Sequence, residues 1–222
     1  MAHIITANYQ ANPNIGLFCY ANDKYCLVPR AFPPELKTKF ENILKVPVYE
    51  VNAAGTSLLG VFFAGTDDCL LLPEIMFDSE LAELESFNIK YRIIKSELTA
   101  LGNNLLVNNK VCIANPDYSD AALKSIEKEF GFKVKRGQIA GFNIVGSLAK
   151  GNKKGILISP DAQSFEKKFI KDNLKSKITT GTLNMGSPYV SSGMVCNSHG
   201  MIIGDMSGGP EIQNADEALG FI

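Results

Sequence analysis

This 222-residue chain is poor in the groups that chemistry most often uses. It has two histidines, His3 and His199, and five cysteines, Cys19, Cys26, Cys69, Cys112 and Cys196, with no CxxC pair among them. With neither CxxC nor HxxxH present, Cys196 and His199 supply two ligands at most, and no metal site is expected. No apolar run approaches the length that crosses a bilayer, and MAHIITANYQ has no basic segment leading into a long apolar one. Neither a membrane span nor a secretory leader is therefore expected. The cysteine number is odd, and Cys26, Cys69 and Cys112 lie in short apolar runs, which suits small buried thiols in a reducing, cytoplasmic setting. The formal net charge of −1 gives no global field that would favour nucleic acid. GSLAKGNKKG (Gly146–Gly155) lacks the GK[ST] ending of a phosphate loop and falls at a strand–strand turn, so that reading is rejected.

What the chain does have is a period. NDKYCLVP (Asn22–Pro29) returns as TDDCLLLP (Thr66–Pro73), NKVCIANP (Asn109–Pro116) and KKGILISP (Lys153–Pro160), with a degenerate fifth copy SHGMIIGD (Ser198–Asp205). The closing positions step by 44, 43, 44 and 45 residues, the mark of repeated supersecondary units. Aligned on the proline, each copy has one internal order. An apolar segment that opens at a small residue (NIGLFCYA, SLLGVFFA, NLLVNN, NIVGSLAK, PYVSSGMVC) reads as a first strand. A polar turn follows: Asn22-Asp23-Lys24, Gly65 to Asp68, Asn108-Asn109-Lys110, Gly151 to Lys154, or Asn197 to Gly200. Asn, Asp and Gly there suit backbone at positive φ. The second strand is CLV, CLLL, VCIA, ILI or MII, and proline ends it because it has no N–H to give the ladder.

A helical stretch comes next. Leu36, Phe40 and Ile43–Leu44 share one face behind Pro34; Leu81, Leu84 and Phe87 do so behind Ser79. Leu123, Ile126 and Phe130 line a face behind a Ser119 or Asp120 cap, and Phe165, Phe169, Ile170 and Leu174 form the fourth stripe and are expected in the core. A third strand closes each unit near a glycine: VPVYEVNAAG, IKYRIIKSELTALG, FKVKRGQIAG, KITTGTLNMG. The fifth copy lacks that strand, while HIITANYQ is a spare β-rich segment ahead of the first unit. The economical solution is a closed five-bladed α/β ring over residues 1–222, a single domain of five repeats of about 44 residues, in which the N-terminal strand completes the last blade and no edge is left open.

A ring of this unit resembles the pentein fold, an α–β propeller of pseudo-fivefold symmetry. Within it the stretches NIGLFCYANDKYCLVP, DCLLLP, LTALGN (Leu98–Asn103) and GTLNMGSPYVSSGMVCN (Gly181–Asn197) are similar to the translation initiation factor 6 family, and the last is the most specific. The chain stops at Ile222 without the acidic, serine-bearing tail of the eukaryotic form, which resembles the archaeal type. The resemblance implies a non-enzymatic, cytoplasmic factor for translation initiation and ribosome biogenesis. It implies binding to the large (50S) subunit, at ribosomal proteins near the sarcin–ricin loop, which keeps the small subunit off. No cofactor, small-molecule substrate or membrane is implied, and a closed ring has no need of a partner copy, so a monomer is expected.

The loops that close the third strands are NAAGTS (Asn52–Ser57), ALGNN (Ala100–Asn104), AGFN (Ala140–Asn143) and NMGSP (Asn184–Pro188), and in a ring they recur about one axis on one face. Gly, Asn and Ser allow close backbone approach and uncharged hydrogen bonding, as a docking surface wants; equally they make the tight turns the fold demands. The resemblance implies ribosome contact first at Asn103, in the ALGN stretch, then at Asn184, Gly186 and Ser187, then at Asn52 and Gly55. More basic family members carry arginine where this chain has Met185 and Val61, which argues against a charge-driven contact. Lys150, Lys153 and Lys154, followed by Lys167, Lys168, Lys171, Lys175 and Lys177, read either as rRNA phosphate contacts or as a solvated face. Residues 121–180 hold 13 Lys/Arg and 5 Asp/Glu, against 9 and 14 in 1–120 and none and 4 in 181–222. The rival class is a pentein-fold hydrolase or transferase acting on guanidino compounds through Cys196. It needs His199 in hydrogen-bond reach, and across VCNSHG the two side chains are expected to diverge.

Overall fold

The computed structural model describes residues 2–108 and 111–222; Asn109 and Lys110 of the third predicted turn lie outside the described residues. The chain opens with β1 (Ile4–Ala7). The first unit holds α1 (Ile15–Phe18), β2 (Tyr20–Ala21), β3 (Cys26–Val28), α2 (Pro34–Leu44) and β4 (Val48–Glu50), and the second α3 (Leu59–Phe62), β5 (Ala64–Gly65), β6 (Leu70–Pro73), α4 (Asp78–Ser86) and β7 (Tyr91–Ile94). The third has α5 (Leu101–Asn104), β8 (Leu105–Val107), β9 (Cys112–Ala114), α6 (Asp120–Phe130) and β10 (Val134–Arg136). The fourth has β11 (Ala149–Gly151), β12 (Gly155–Ile158), α7 (Ser164–Leu174) and β13 (Lys177–Thr180), and the last β14 (Met194–Cys196), β15 (Met201–Gly204) and α8 (Gly209–Ala218).

Each unit forms one three-stranded sheet. The first two strands are antiparallel, as a tight turn permits, and the third runs parallel to the second, as a helical crossover requires. The fifth sheet is completed by β1, which pairs parallel with β15 from Ile4↔Met201 to Ala7↔Gly204.

The central strands explain why the repeated phrase is continuously apolar and does not alternate. Cys26 and Val28 pack toward the fifth unit's Val195 and Ile202, while Leu27 between them packs toward the second unit's Leu70 and Leu72. Leu71 in turn faces the third unit, Ile113 the fourth and Leu157 the fifth. Every central strand is thus covered on both faces, like a strand of a parallel sheet. Five cores result, one between each pair of neighbouring units, including the fifth and the first. Each takes in one long helix: Phe40, Ile43 and Leu44 of α2, Leu84 of α4, Ile126 of α6, Ile170 and Leu174 of α7, Ala215 and Ala218 of α8.

Two expectations about local structure change. NIGLF and LLGVF are not the starts of strands, and ALGNN is not a loop: all three form single helical turns, α1, α3 and α5, ahead of strands of two or three residues. The cause lies at the axis. A Cβ on Gly60 would overlap the carbonyl oxygen of Gly16, one on Gly102 that of Gly60, one on Gly146 that of Gly102, and one on Gly16 that of Ser191. The circle is completed by hydrogen bonds from Gly146 N to Asn103 O (2.9 Å), Ser191 N to Ser147 O (3.1 Å) and Gly16 N to Ser192 O (2.8 Å). A helical turn presents the bare Cα of each glycine to its neighbour's backbone at that spacing. The second change concerns α4. Ser79 does not cap it; the helix begins at Asp78, and the free amide of Phe77 is taken by Glu80 (3.0 Å). Ser119 does cap α6, accepting from Ala122 N at 3.2 Å.

Candidate functional site

The axial glycines mark one end of the ring, and the third strands run out at that same end. Four of the connections there are tight turns closed by bridges, three of two residues (Tyr9↔Asn12, Ala53↔Thr56, Ile139↔Phe142) and one of three (Leu183↔Ser187). Their tips sit in the left-handed region: Gln10 and Ala11, Ala54 and Gly55, Ala140 and Gly141, and in the longest Asn184, Met185 and Gly186. Paired positive φ is the hairpin geometry that fits strand twist, but it leaves two tip amides pointing out of the turn.

In the second, third and fourth of these turns a carboxylate three residues into the next long helix takes them, while in the first Ala11 N donates to Asn8 Oδ1 (3.2 Å). Glu80 accepts from Ala54 N (3.0 Å) and Gly55 N (2.8 Å), Glu166 from Ala140 N (2.8 Å) and Gly141 N (2.9 Å), and Glu211 from Met185 N (3.3 Å) and Gly186 N (2.9 Å). Each also accepts the first free amide of its own helix, Phe77, Gln163 or Gly208. Glu80 and Glu166 are buried and, among the described residues, have no cationic partner; the backbone amides supply the compensation such burial requires. At Glu211 partial burial pushes the carboxyl up, but the amides of Gly186, Gly208 and Met185 and the Thr182 hydroxyl outweigh it and hold it below the usual range. These three glutamates were missed in the sequence. Their signal is a small residue or methionine plus glycine followed about 26 residues on by glutamate, in 54–80, 140–166 and 185–211.

With its backbone polarity satisfied internally, this end leaves apolar side chains outside. Of nine exposed large hydrophobics among the described residues, seven lie on or just after these turns, on the segments that lead from the central strands into the helices, or in a helix's first turn: Ile75, Phe77, Phe142, Phe165, Met185, Tyr189 and Met206. Met185 is 76% exposed and Phe165 67%. Phe165 is therefore not core, contrary to the stripe reading; Ile170 and Leu174 bury the helix on their own, with Phe169 partly covered.

All six residues expected to bind sit at this end. Gly55 and Gly186 are exposed turn tips, at φ +74° and +94°, and Ser187 closes the last turn. Asn52 ends the first unit's third strand and accepts from Arg30 N at 3.2 Å. Asn184 spends its amide inside the ring, donating to Pro13 O (3.0 Å) and Asn14 Oδ1 (3.3 Å), which ties the last connection to the first unit. Asn103 lies not in a loop but in α5, half-buried at the axis.

The three loop lysines are elsewhere. Lys153 and Lys154 stand at the opposite end of the ring and Lys150 lines the axial cavity, so the structure does not bring them to the turn end. Lys153 bridges Asp23 (2.7 Å) and Asp67 (2.6 Å), which raise its pKa; Lys154 lies 5.0 Å over the Phe221 ring. The far turns also need a different account from the one expected. Asn22, Asn152 and Asn197 are not at positive φ. Their side-chain oxygens accept two amides of their own turn, and their Nδ2 groups donate to Thr66 O, Asn197 O and Asn22 O, each at 3.1 Å, in the neighbouring unit. Asparagine is there to close a turn and join two blades at once.

The cavity on the axis, about 130 Å³, is lined by Lys150, Cys196, Asn22, Asn152 and the axial backbone, and by neither histidine. The Cys196 thiol is buried and donates to Gly151 O at 3.6 Å; burial pushes it up to about 11. His199 is exposed, and His3 bonds Asp216 at 2.8 Å. No group of three His, Cys, Asp or Glu fit to hold a metal occurs among the described residues.

The same architecture is found in an amidinotransferase from Microseira wollei in a saxitoxin biosynthetic pathway (TM-score 0.53, 12% identity, 85% of this chain and 78% of that one). It recurs in a dimethylarginine dimethylaminohydrolase adduct with S-methyl-L-thiocitrulline (TM-score 0.50, 12% identity, 80% and 71%). At such identity the likeness defines a class by fold alone, the pentein α–β propeller. The chain belongs to the eIF-6 family, whose model matches residues 4–218. It is 34% identical over 226 residues to translation initiation factor 6 of Thermococcus onnurineus, covering 99% of both chains. To translation initiation factor 6 of Saccharolobus islandicus it is 36% identical over 210 residues, covering 93% of this chain and 94% of that one.

Proposed function

We propose that this protein is a cytoplasmic, monomeric translation initiation factor that docks through its turn end on the large ribosomal subunit and thereby blocks the small one. Its mechanism is occupancy, with no covalent step. Family membership supports the reading, and one observation carries it: a single end of the ring has a backbone locked by three carboxylates and exposes Phe77, Phe142, Met185, Tyr189 and Met206. Apolar residues clustered on one face, held by a rigid frame and interspersed with single charges such as Glu74 and Asp205, are what a protein-binding patch needs. The guanidino-enzyme alternative fits less well, because the buried Cys196 thiol has no histidine beside it in the axial cavity.

Sedimentation of the protein with separated large and small subunits tests this. Co-migration with the large subunit alone, and loss of the joined ribosome peak, is the expected result. Met185→Glu and Asn103→Trp should each weaken that binding by about tenfold, or about 1.4 kcal/mol, with thermal unfolding nearly unchanged for Met185→Glu. Binding to neither subunit overturns the proposal; binding untouched by both variants moves the face elsewhere.

A further inference from the structure

The outer wall made by α6, β10 and α7 concentrates lysines, whereas the exposed charges of the turn end, such as Glu74, Asp161 and Asp205, are mostly acidic. α6 packs on one side of the third sheet through Leu123 and Ile126, and α7 on the other through Ile170 and Leu174. β10, the outer strand of that sheet, lies between them. Lys124 and Lys128 of α6, Lys135 of β10, and Lys167, Lys171 and Lys175 at four-residue steps along α7 and its cap put six ammonium groups on this wall. None of the six is ion-paired among the described residues, whereas Lys24, Lys37 and Lys153 elsewhere are. At the head of α7 stands Phe165, two-thirds exposed, one helical turn from Lys168. Beside it is Phe142, half-exposed on the turn that Glu166 holds against the same helix.

We infer that this wall is a second contact surface and that its partner is RNA. Unpaired lysines in a row neutralise successive phosphates and release their counterions. An exposed ring at the end of such a row offers an unpaired base a stacking surface. A carboxylate polymer would match the lysines but leave Phe165 unused. Because the wall begins where the turn end stops, rRNA of the docked large subunit is the RNA in reach; that choice rests on the docking reading, and the affinity for RNA does not.

The test uses a labelled single-stranded oligouridylate, followed by anisotropy across a salt series, and large subunits in parallel. Lys167→Gln/Lys171→Gln/Lys175→Gln should weaken oligouridylate binding about tenfold and flatten the slope of log K against log salt by about 2, since each phosphate that a single strand no longer has neutralised removes roughly 0.7. Phe165→Ala should weaken it about tenfold with the slope unchanged. Lys24→Gln/Lys39→Gln/Lys45→Gln, which removes equal charge from the first unit, should do neither. Equal losses from both triple variants, no binding by the wild type, or polyglutamate binding as tight as oligouridylate each overturn the inference. If large subunits bind the wild type and the wall variant with the same salt slope, the wall is no contact on the subunit although docking stands. If subunits bind neither while oligouridylate binding behaves as expected, the docking reading fails and the wall survives.

Discussion

The two ends of the ring are built from the same five repeats and solve the same joining problem in opposite ways. At the turn end neighbouring units meet backbone to backbone, glycine against carbonyl, and carboxylates face inward onto amides. At the far end they meet through side chains: asparagine amides reach across, and Asp23, Asp67, Lys153 and Ser198 close over the axis. The first solution satisfies polarity inside and leaves apolar groups outside; the second turns charge toward charge and exposes no comparable patch. The two ends of one fold therefore differ in what they expose, and local chemistry, not topology, decides which end is apolar.

The sharpest way to break that comparison is Gly60→Ala. The added methyl would overlap Gly16 O, backbone that cannot step aside, so a loss of at least about 3 kcal/mol in denaturant unfolding is expected. A mild effect would mean that the axis is not backbone-packed. At the far end Asn197→Ala strands Leu44 O, His199 N and Gly200 N and should cost about 2–3 kcal/mol without touching subunit binding. Glu80→Ala frees the amides of Ala54, Gly55 and Phe77 and should cost about 2 kcal/mol. Unlike Asn197→Ala, it should also weaken docking, since it loosens the face. Equal docking by the two variants would erase the functional contrast between the ends.

The smallest effects are in the pH profile. Burial raises Asp23, but Lys153 and Ser198 together bring it below the usual range; Glu211 is also depressed. Depressed carboxylates contribute stability above their unfolded pKa and lose it as pH falls through the folded one, so both ends weaken in acid. Lys153 is raised, by Asp23 first and Asp67 second. Its contribution is complete below its unfolded pKa and disappears as pH rises through the folded value. Alkaline destabilisation should therefore be smaller in Lys153→Gln than in the wild type, and Glu211→Gln should leave the alkaline limb alone.

The strand order, the central strands and the completing role of β1 were legible because they depend on spacing and on runs of apolar residues. Phe165 was misread because a helical stripe records which positions share a face, not how far the neighbouring blade extends to cover it. The helical turns at Gly16, Gly60 and Gly102 were hidden because four-residue segments are too short to show a period of their own. The asparagine turns were found for the wrong reason: residue type predicted backbone conformation, whereas the structure uses the side chain's two ends. The glutamate clasps join residues 25 or 26 apart across two units, and only the assembled ring makes them neighbours.

The pairing of Ile4 with Met201 has a consequence in time. β1 is synthesised about 200 residues ahead of β15, so at roughly 5–20 residues per second it waits on the order of 10–40 s for its partner. Until then the fifth sheet lacks a strand, Pro13 and Asn14 have no Asn184 to hold them, and the turn end is incomplete. On the proposed docking face, competence to bind therefore waits until β15 has emerged and paired with β1.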